Sequence, residues 1–549
     1  MLKKYLSDLK REFSGYNAKG FSRDLMAGLT VAAVALPLAL AFGVSSGADA
    51  AAGLITAIVA GLVIGLLSGA SYQISGPTGA MSAILVTVSA RFGLQGVLTA
   101  GLLSGVLLLI LALLRVGRLV SFLPAPVITG FTSGIAVIIA LGQVDNLFGT
   151  VSQGENAITK LLSYGSLGFA PNWWAVGFGV AVILIMVLYP KKWNAVFPSS
   201  LAALIVAVAA NFFLNQDAAA STVKEVGVIP QTLISPQSLL FTGLDLAHWQ
   251  QLLAPAFSIA ILGMIESLLC GAAAGKMKHE KMDAGRELVA QGIGNILIPL
   301  FGGVPATAAI ARTSVVIKSG GQTRLASVIH SITLILSMFL LGGVMSRIPL
   351  AALAGVLMVT AWRMNEWSAI RQMFRQKRWP AILQFLITML ATVIFDLTVA
   401  ILIGLAVAML LFILKSCDLT IEMRDVEADR LPDGVTARSD IKVVYLSGPL
   451  FFGTQERLTR CLPELIASRA VIFSMRGVPT VDDSAIAELD SLRTECEAQG
   501  THLFFCGLQP KVQDSLKQSG FMERTGSHRF CWDAIEAFER IEAAAENQA

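Results

Sequence analysis

Charge is scarce in this chain. Asp, Glu, Lys and Arg make up 14% of its 549 residues, against roughly 25% in a typical soluble protein. Hydrophobic residues make up 55% and the mean hydropathy is +0.69, which places the chain among membrane proteins before any motif is read. The six cysteines, Cys270, Cys417, Cys461, Cys496, Cys506 and Cys531, form no CxxC pair, so a metal site is not indicated. Five of them lie after residue 415, and scattered thiols there fit a reducing cytosol. There is no Gly-rich phosphate loop followed by Lys, and no Ser, His and Asp set suggesting hydrolysis. Enzymatic chemistry is therefore disfavoured, and nothing points to nucleic acid. Residues Met1 to Asp24 lack the apolar core and small-residue cleavage site of a secretory signal peptide.

What charge there is divides unevenly. Residues 1–415 hold 27 Lys and Arg against 15 Asp and Glu, a net of +12, whereas residues 416–549 hold 14 against 22, a net of −8. Hydrophobicity drops at the same place. We therefore read 1–23 as a cytoplasmic N-terminal segment, 24–415 as a transmembrane domain, 416–436 as a linker and 437–549 as a cytoplasmic soluble domain.

A spanning helix needs about 20 predominantly apolar residues. About fourteen candidate segments begin near residues 24, 50, 77, 95, 124, 171, 198, 252, 284, 305, 325, 348, 379 and 396. With the N-terminus in the cytoplasm and the segments alternating, 22 Lys and Arg fall on the cytoplasmic side. They include Arg115, Arg118, Lys276, Lys278, Arg324 and the cluster from Arg363 to Arg378. Only Arg91, Lys160, Lys224 and Arg347 fall outside. The positive-inside rule thus supports an even number of spans with both ends inside. The long external stretches, roughly 145–170 and 216–250, read as loops with short surface helices.

Two segments carry proline inside apolar sequence: Ser75-Gly76-Pro77-Thr78-Gly79-Ala80-Met81 and Gly302-Gly303-Val304-Pro305-Ala306-Thr307-Ala308. Each reads as an unwound Gly-rich stretch, then Pro at the first helical position, then a helix. They are third and tenth in the span order, which fits two repeats of seven spans. An odd number per repeat makes the repeats inverted in the membrane. A helix that begins inside the membrane leaves N–H groups unpaired and a partial positive charge at its start, which suits an anion. Interrupted segments at matching places in two halves point to a transporter site.

Two ionisable residues lie deep in apolar sequence. Buried charge in a membrane is costly and marks a pathway or a pair. Glu266 is placed to take up a proton. Arg312, which stays charged, would attract an anion or pair with Glu266 in a structural bridge. Pro37 interrupts the first span, and Phe42 beyond it either walls a cavity or packs in the core. Asp396, at the start of the last span, reads as an interfacial cap.

From about residue 440 the period changes. Strands at 441–446, 470–475 and 502–506 alternate with helical patterns at 454–467, 483–498, 510–518 and 532–546, which indicates a small α/β domain.

Together these features resemble the SulP family of anion transporters, the bacterial relatives of the animal solute carrier family 26. The resemblance covers nearly the whole chain. It rests on Arg23-Asp24-Leu25-Met26-Ala27-Gly28-Leu29-Thr30, the Pro37 segment, Ser75-Gly76-Pro77-Thr78, and Pro305 through Arg312-Thr313. The C-terminal part resembles a STAS domain, with Val481-Asp482-Asp483-Ser484-Ala485 at its characteristic loop. The resemblance implies fourteen spans as 7+7 inverted repeats, split into core and gate domains. It also implies a homodimer and elevator-like motion. Its anion site lies between the starts of the third and tenth spans, near the first. On this sequence that selects Phe42, Gly76, Pro77, Thr78, Ala306, Thr307, Ala308 and Arg312. The acidic residue tied to cation coupling in the eighth span corresponds to Glu266.

Two departures bear on substrate and coupling. Sulfate-transporting members commonly carry Gln after the first-span proline, where this chain has Leu38. Sodium-coupled bicarbonate members carry Asp with Thr four residues later, where this chain has Glu266 and Cys270. A thiol is a poor ligand for sodium, which prefers oxygen, so a coupling proton is favoured over sodium. Ser484 matches a position phosphorylated in some soluble relatives and reads as a helix N-cap. The expected function is proton-coupled symport of bicarbonate, sulfate or a small dicarboxylate across the inner (cytoplasmic) membrane. No cofactor is expected, and a cytoplasmic partner for the STAS domain is left open. An uncoupled exchanger or channel, with Glu266 structural, is the alternative. A STAS-based sensor with a membrane anchor is another, though fourteen spans are excessive for an anchor.

Overall fold

The computed structural model describes residues 2–117, 124–153, 157–194, 197–214, 220–222, 229, 232–243, 248–395, 397–425 and 440–546. Arg118, Lys224, Asp396 and residues 426–436 of the expected linker lie outside the described residues. The chain divides into two units, Met1–Leu405 and Ala406–Ala549.

In the first unit a short amphipathic helix α1 (Leu2–Glu12) precedes the apolar ones. These are α2 (Ala18–Ser45), α3 (Ala50–Leu67), α4 (Gly79–Leu113), α5 (Ala125–Gly142), α6 (Trp173–Leu188) and α7 (Ser199–Leu214). There follow α8 (Trp249–Lys278), α9 (Ala284–Phe301), α10 (Ile310–Lys318), α11 (Leu325–Met345), α12 (Leu350–Met364) and α13 (Trp379–Ile394), and then α14 (Leu397–Ser416), within which the first unit ends. Every expected segment is a helix. Among the described residues, seven helices are long and apolar enough to cross a membrane, and α6, α7, α12 and α13 are shorter apolar ones. Helix α4 supplies the third and fourth expected spans. It bends at Gly93, whose φ of 66° is in the left-handed region that glycine alone enters freely. The spans expected at 77 and 95 are thus two helical stretches that meet at this kink. Pro37 removes one backbone donor, yet α2 is continuous through it.

The packing sorts the helices by repeat. Helices α2, α3 and α4 pack with α8, α9, α10 and α11 to form a core, while α5, α6 and α7 pack with α12 and α13 to form a gate. The first four spans of each repeat make the core, and the gate takes the last three of the first repeat and α12 and α13 of the second, in keeping with inverted repeats of seven. Small residues allow close approach between apolar helices. A Cβ on Gly105 of α4 would lie 2.7 Å from the carbonyl oxygen of Gly292 in α9, and a Cβ on Gly292 would lie 3.0 Å from that of Gly105. Asp24, in the motif before the first span, is fully buried. It accepts from the amides of Gln322 at 2.6 Å and Thr323 at 3.2 Å, tying α2 to the start of α11. Helix α1 is fixed to the core by two ion pairs, Asp8–Arg286 at 2.7 Å and Glu12–Arg324 at 2.8 Å.

The second unit carries a five-stranded sheet in the order β3-β4-β5-β6-β7. Its strands are β3 (Thr420–Asp425), β4 (Ile441–Ser447), β5 (Ala470–Gly477), β6 (His502–Cys506) and β7 (Phe530–Cys531). The three expected strands are the central ones, paired in parallel. Side chains alternate across the sheet, so Val471, Phe473 and Met475 of β5 face one core, and Ala470 and Ile472 the other. Strand β3 lies inside the stretch read as a linker. It joins the edge antiparallel to β4, and its mixed sequence TIEMRD carries too little apolar pattern to announce a strand.

Helices α15 (Asp483–Ala498), α16 (Pro510–Gln518) and α17 (Ala534–Glu546) follow as expected. The expected helix at 454–467 is two short ones, Gln455–Thr459 and Leu462–Leu465. The N-cap of α15 is Asp482, not Ser484: the Asp482 carboxylate accepts from Ala485 N at 2.8 Å, and Ser484 is already in the first turn.

On α15, Asp490 accepts from Arg493 and from Arg524, each at 2.8 Å. Burial works against its charge, but the hydrogen bonds and charges of the two arginines outweigh it and hold the carboxyl below the usual carboxylate range. Its contribution to stability is therefore present above about pH 4, the ordinary Asp value, and is lost as pH falls through the lowered folded value. We expect Asp490→Asn to cost about 1 kcal/mol at pH 7. Thermal unfolding of residues 406–549 should show the gap to wild type closing as the pH is taken toward 3.

Candidate anion site

The site is built where two helices are interrupted. After α3 the chain runs extended through β1 (Ser75–Gly76) and then Pro77, and Thr78 caps α4. After α9 it turns at Gly302, φ 89°, passes Pro305, forms β2 (Thr307–Ala308), and enters α10 with Ala309 as N-cap. Strands β1 and β2 pair antiparallel, Ser75 with Ala308 and Gly76 with Thr307. Non-helical backbone at membrane depth survives only where its polar groups find partners within the protein, and the two strands supply them to each other.

This corrects one expectation. Neither proline is at the first helical position: Pro77 precedes the cap of α4, and Pro305 is five residues before α10. Proline instead restricts the residue before it to extended backbone, which prepares Gly76 for the strand and Val304 for the approach to β2.

Glu266 and Ser267, from the middle of α8, meet both interruptions. Thr78 Oγ1 donates to Glu266 Oε2 at 2.9 Å. Ser267 Oγ accepts from Ala308 N at 3.2 Å and lies 3.3 Å from Thr307 Oγ1. Two neighbouring residues of α8 thus reach the start of α4, through Glu266, and strand β2, through Ser267.

Arg312 is in the first turn of α10 and is 1% exposed. It does not pair with Glu266. Its Nη2 donates to the carbonyl oxygen of Pro77 at 3.0 Å, and its Nη1 is buried without a partner. A Cβ on Gly76 would lie 2.2 Å from that Nη1, so only glycine leaves room for the guanidinium beside β1. A buried donor left unpaired costs about 1–3 kcal/mol, more when charged. The position therefore suits an arriving anion. Among the described residues Arg312 forms no ion pair.

Phe42 closes the other side. It is 4% exposed, and a Cβ on Gly79, the first residue of α4, would lie 3.2 Å from its ring and 2.2 Å from Ile139 Cδ1. Phe42 comes from the core helix α2 and Ile139 from the gate helix α5, so the start of α4 lies where core meets gate. Ile139 is one residue the sequence reading did not select. Gly76, Pro77, Thr78, Ala306, Thr307 and Ala308 are all buried.

Cys270 is one turn from Glu266 on α8 and fully buried. Its Sγ donates to Thr313 Oγ1 at 3.4 Å, and the same oxygen accepts from Ile74 N at 3.1 Å. The thiol therefore supports the chain entering β1. Sequence reasoning also passed over Glu287, Gln291 and Asn295 of α9, all buried and hydrogen-bonded around the site. Their signal was a polar residue every four positions in an otherwise apolar helix.

Comparison with known proteins agrees with this architecture. Residues 21–379 match the Sulfate permease family and residues 435–529 the STAS domain. A protein of Bacillus subtilis (strain 168) named for sulfate transport, YvdB, is 34% identical over 524 residues, covering 94% of this chain and 97% of that protein. The bicarbonate transporter BicA of Picosynechococcus sp. (strain ATCC 27264 / PCC 7002 / PR-6) is 29% identical, covering 91% of each. Among solved structures, the murine solute carrier 26 family member A9 superposes with a TM-score of 0.84 at 19% identity, covering 98% of this chain and 94% of that one. The transmembrane domain of a cyanobacterial BicA superposes with a TM-score of 0.61 at 27% identity, covering 72% of this chain and 98% of that one.

Proposed function

Because the chain belongs to the sulfate permease family, we propose that it is a secondary active transporter of a small inorganic anion of the bicarbonate or sulfate class, driven by a proton carried on Glu266. The observation that carries this reading is the Glu266 carboxylate accepting from Thr78 at the start of α4, while Ser267 beside it holds β2 of the other interruption. An ionised carboxylate accepts from the Thr78 hydroxyl and sets its charge against the anion. A protonated one relieves that repulsion, so proton and anion favour each other at the site. Arg312 Nη1, unpaired and cationic, supplies the attraction, and the helix starts add the partial positive charge of their N–H groups.

Transport follows from the position of the site between core and gate. The core would carry Phe42, both strands, Glu266 and Arg312 as one body past the gate, in an elevator motion that opens the buried anion to each side in turn. A homodimer in the inner (cytoplasmic) membrane with both termini cytoplasmic belongs to this reading, and the surplus of Lys and Arg on one side supports the topology.

The test is uptake of labelled bicarbonate and sulfate into proteoliposomes under an imposed proton or sodium gradient. Proton-driven accumulation of either anion is the expected result. Accumulation driven only by sodium would overturn the coupling assignment. Counterflow without accumulation would make the protein an exchanger.

A further inference from the structure

Helix α9 carries Glu287, Gln291 and Asn295 at four-residue intervals, hence on one face. All three are buried, at 0%, 0% and 1% exposure. Burying polar side chains costs unless each is bonded, and their bonds share one theme. The Glu287 carboxylate accepts from Ser68 Oγ at 2.5 Å and from Gly69 N at 3.0 Å, where the chain leaves α3 for β1. Gln291 Nε2 donates to Ser75 Oγ in β1 at 2.9 Å and to Glu287 Oε1 at 2.9 Å. Asn295 pairs with Ala306 in both directions: Oδ1 accepts from Ala306 N at 2.7 Å, and Nδ2 donates to Ala306 O at 2.9 Å. One face of one helix thus grips the entrance to β1, β1 itself and the entrance to β2.

We infer that Gln291 and Asn295 are positioning residues for the anion: they fix the register of β1 against β2, and with it the place of the groups that bind. The inference rests on the anion-transport reading above. Strands β1 and β2 pair over two residues each, too few to define their own register, and a slip of one residue turns every side chain to the opposite face. Ser75 and Gly76 face opposite sides of β1. Gln291 holds the Ser75 side, and Arg312 fills the space on the Gly76 side. A slip would put a serine side chain where the guanidinium sits. Helix α3, the second span of its repeat as α9 is of the other, adds a matching bond on β2's approach: Thr56 Oγ1 donates to Val304 O at 2.9 Å.

The test uses the full-length protein in proteoliposomes. Gln291→Met keeps the volume and removes both hydrogen bonds, and Ser75→Ala deletes one oxygen at the other end of the same bond. Each is expected to raise the KM for the transported anion about tenfold, with the maximal rate within about twofold and a fall of no more than about 5 °C in the midpoint of thermal unfolding. The double variant should be no worse than Gln291→Met alone, because both act through one bond. Unchanged KM, or a loss of maximal rate and unfolding midpoint together at constant KM, would overturn the inference. If Gln291→Met does not fold, Ser75→Ala alone decides by the same KM criterion. A wild-type protein that transports neither anion would sink the functional reading, visible in the wild-type trace alone, and this inference with it.

Discussion

Replacing Glu266 by glutamine is expected to bring proton-driven accumulation down to the level of simple equilibration, with the protein still folded and still exchanging anions. Glutamine has nearly the shape of glutamate, and its amide oxygen can accept the hydrogen bond that Thr78 Oγ1 donates at 2.9 Å. It cannot release and rebind a proton. With one proton per monovalent anion, a gradient of one pH unit supports about tenfold accumulation, so two units support about a hundredfold. All of that should vanish in Glu266→Gln, along with the dependence of uptake on external pH. Counterflow measured without a gradient should persist, because the cradle and Arg312 remain. Undiminished accumulation in this variant would remove Glu266 from the coupling step. Loss of counterflow together with accumulation would instead make it part of the anion's own binding.

Glu266 was visible as a lone carboxylate in apolar sequence because charge there is expensive. Its partner was not. The sequence spacing allowed a bridge to Arg312, but the guanidinium instead reaches the carbonyl of Pro77. That contact depends on strands β1 and β2, and four residues carry no periodicity that a sequence pattern can register. The same reason hid the delay between each proline and its helix. Proline was read as the first helical residue, whereas strand pairing extends the chain past it. By contrast, the fourteen apolar segments were legible, since apolar runs stand out against so little charge and the charges between them alternate by side. The central strands of the STAS domain were equally plain, because strands buried on both faces are continuous hydrophobic runs. The edge strand β3, half exposed and mixed in composition, was not. The polar stripe of α9 lay in plain view, but three isolated uncharged or acidic side chains acquire meaning only when the backbone they grip is known.

Gly76 provides the sharpest test of the cradle. Gly76→Ala adds one methyl group, which would sit 2.2 Å from Arg312 Nη1. A side-chain end can usually move aside, but this one is 1% exposed and its second nitrogen is bonded to Pro77 O. Moving it breaks that bond and takes the free donor away from the anion. A hydrogen bond to a charged group contributes about 1.5–3 kcal/mol, so we expect the KM for the anion to rise roughly 10- to 100-fold. Arg312→Gln should do the same by removing the charge. Arg312→Lys should not rescue it, because a single ammonium cannot hold Pro77 O and present a second donor in the planar fork of arginine. The decisive comparison is the double variant. If glycine is required only to make room for the guanidinium, Gly76→Ala should add nothing in the Arg312→Gln background, a large departure from additivity between neighbours. If the two effects add instead, the methyl group acts on β1 itself, and the attraction at this site comes from the helix starts rather than from Arg312.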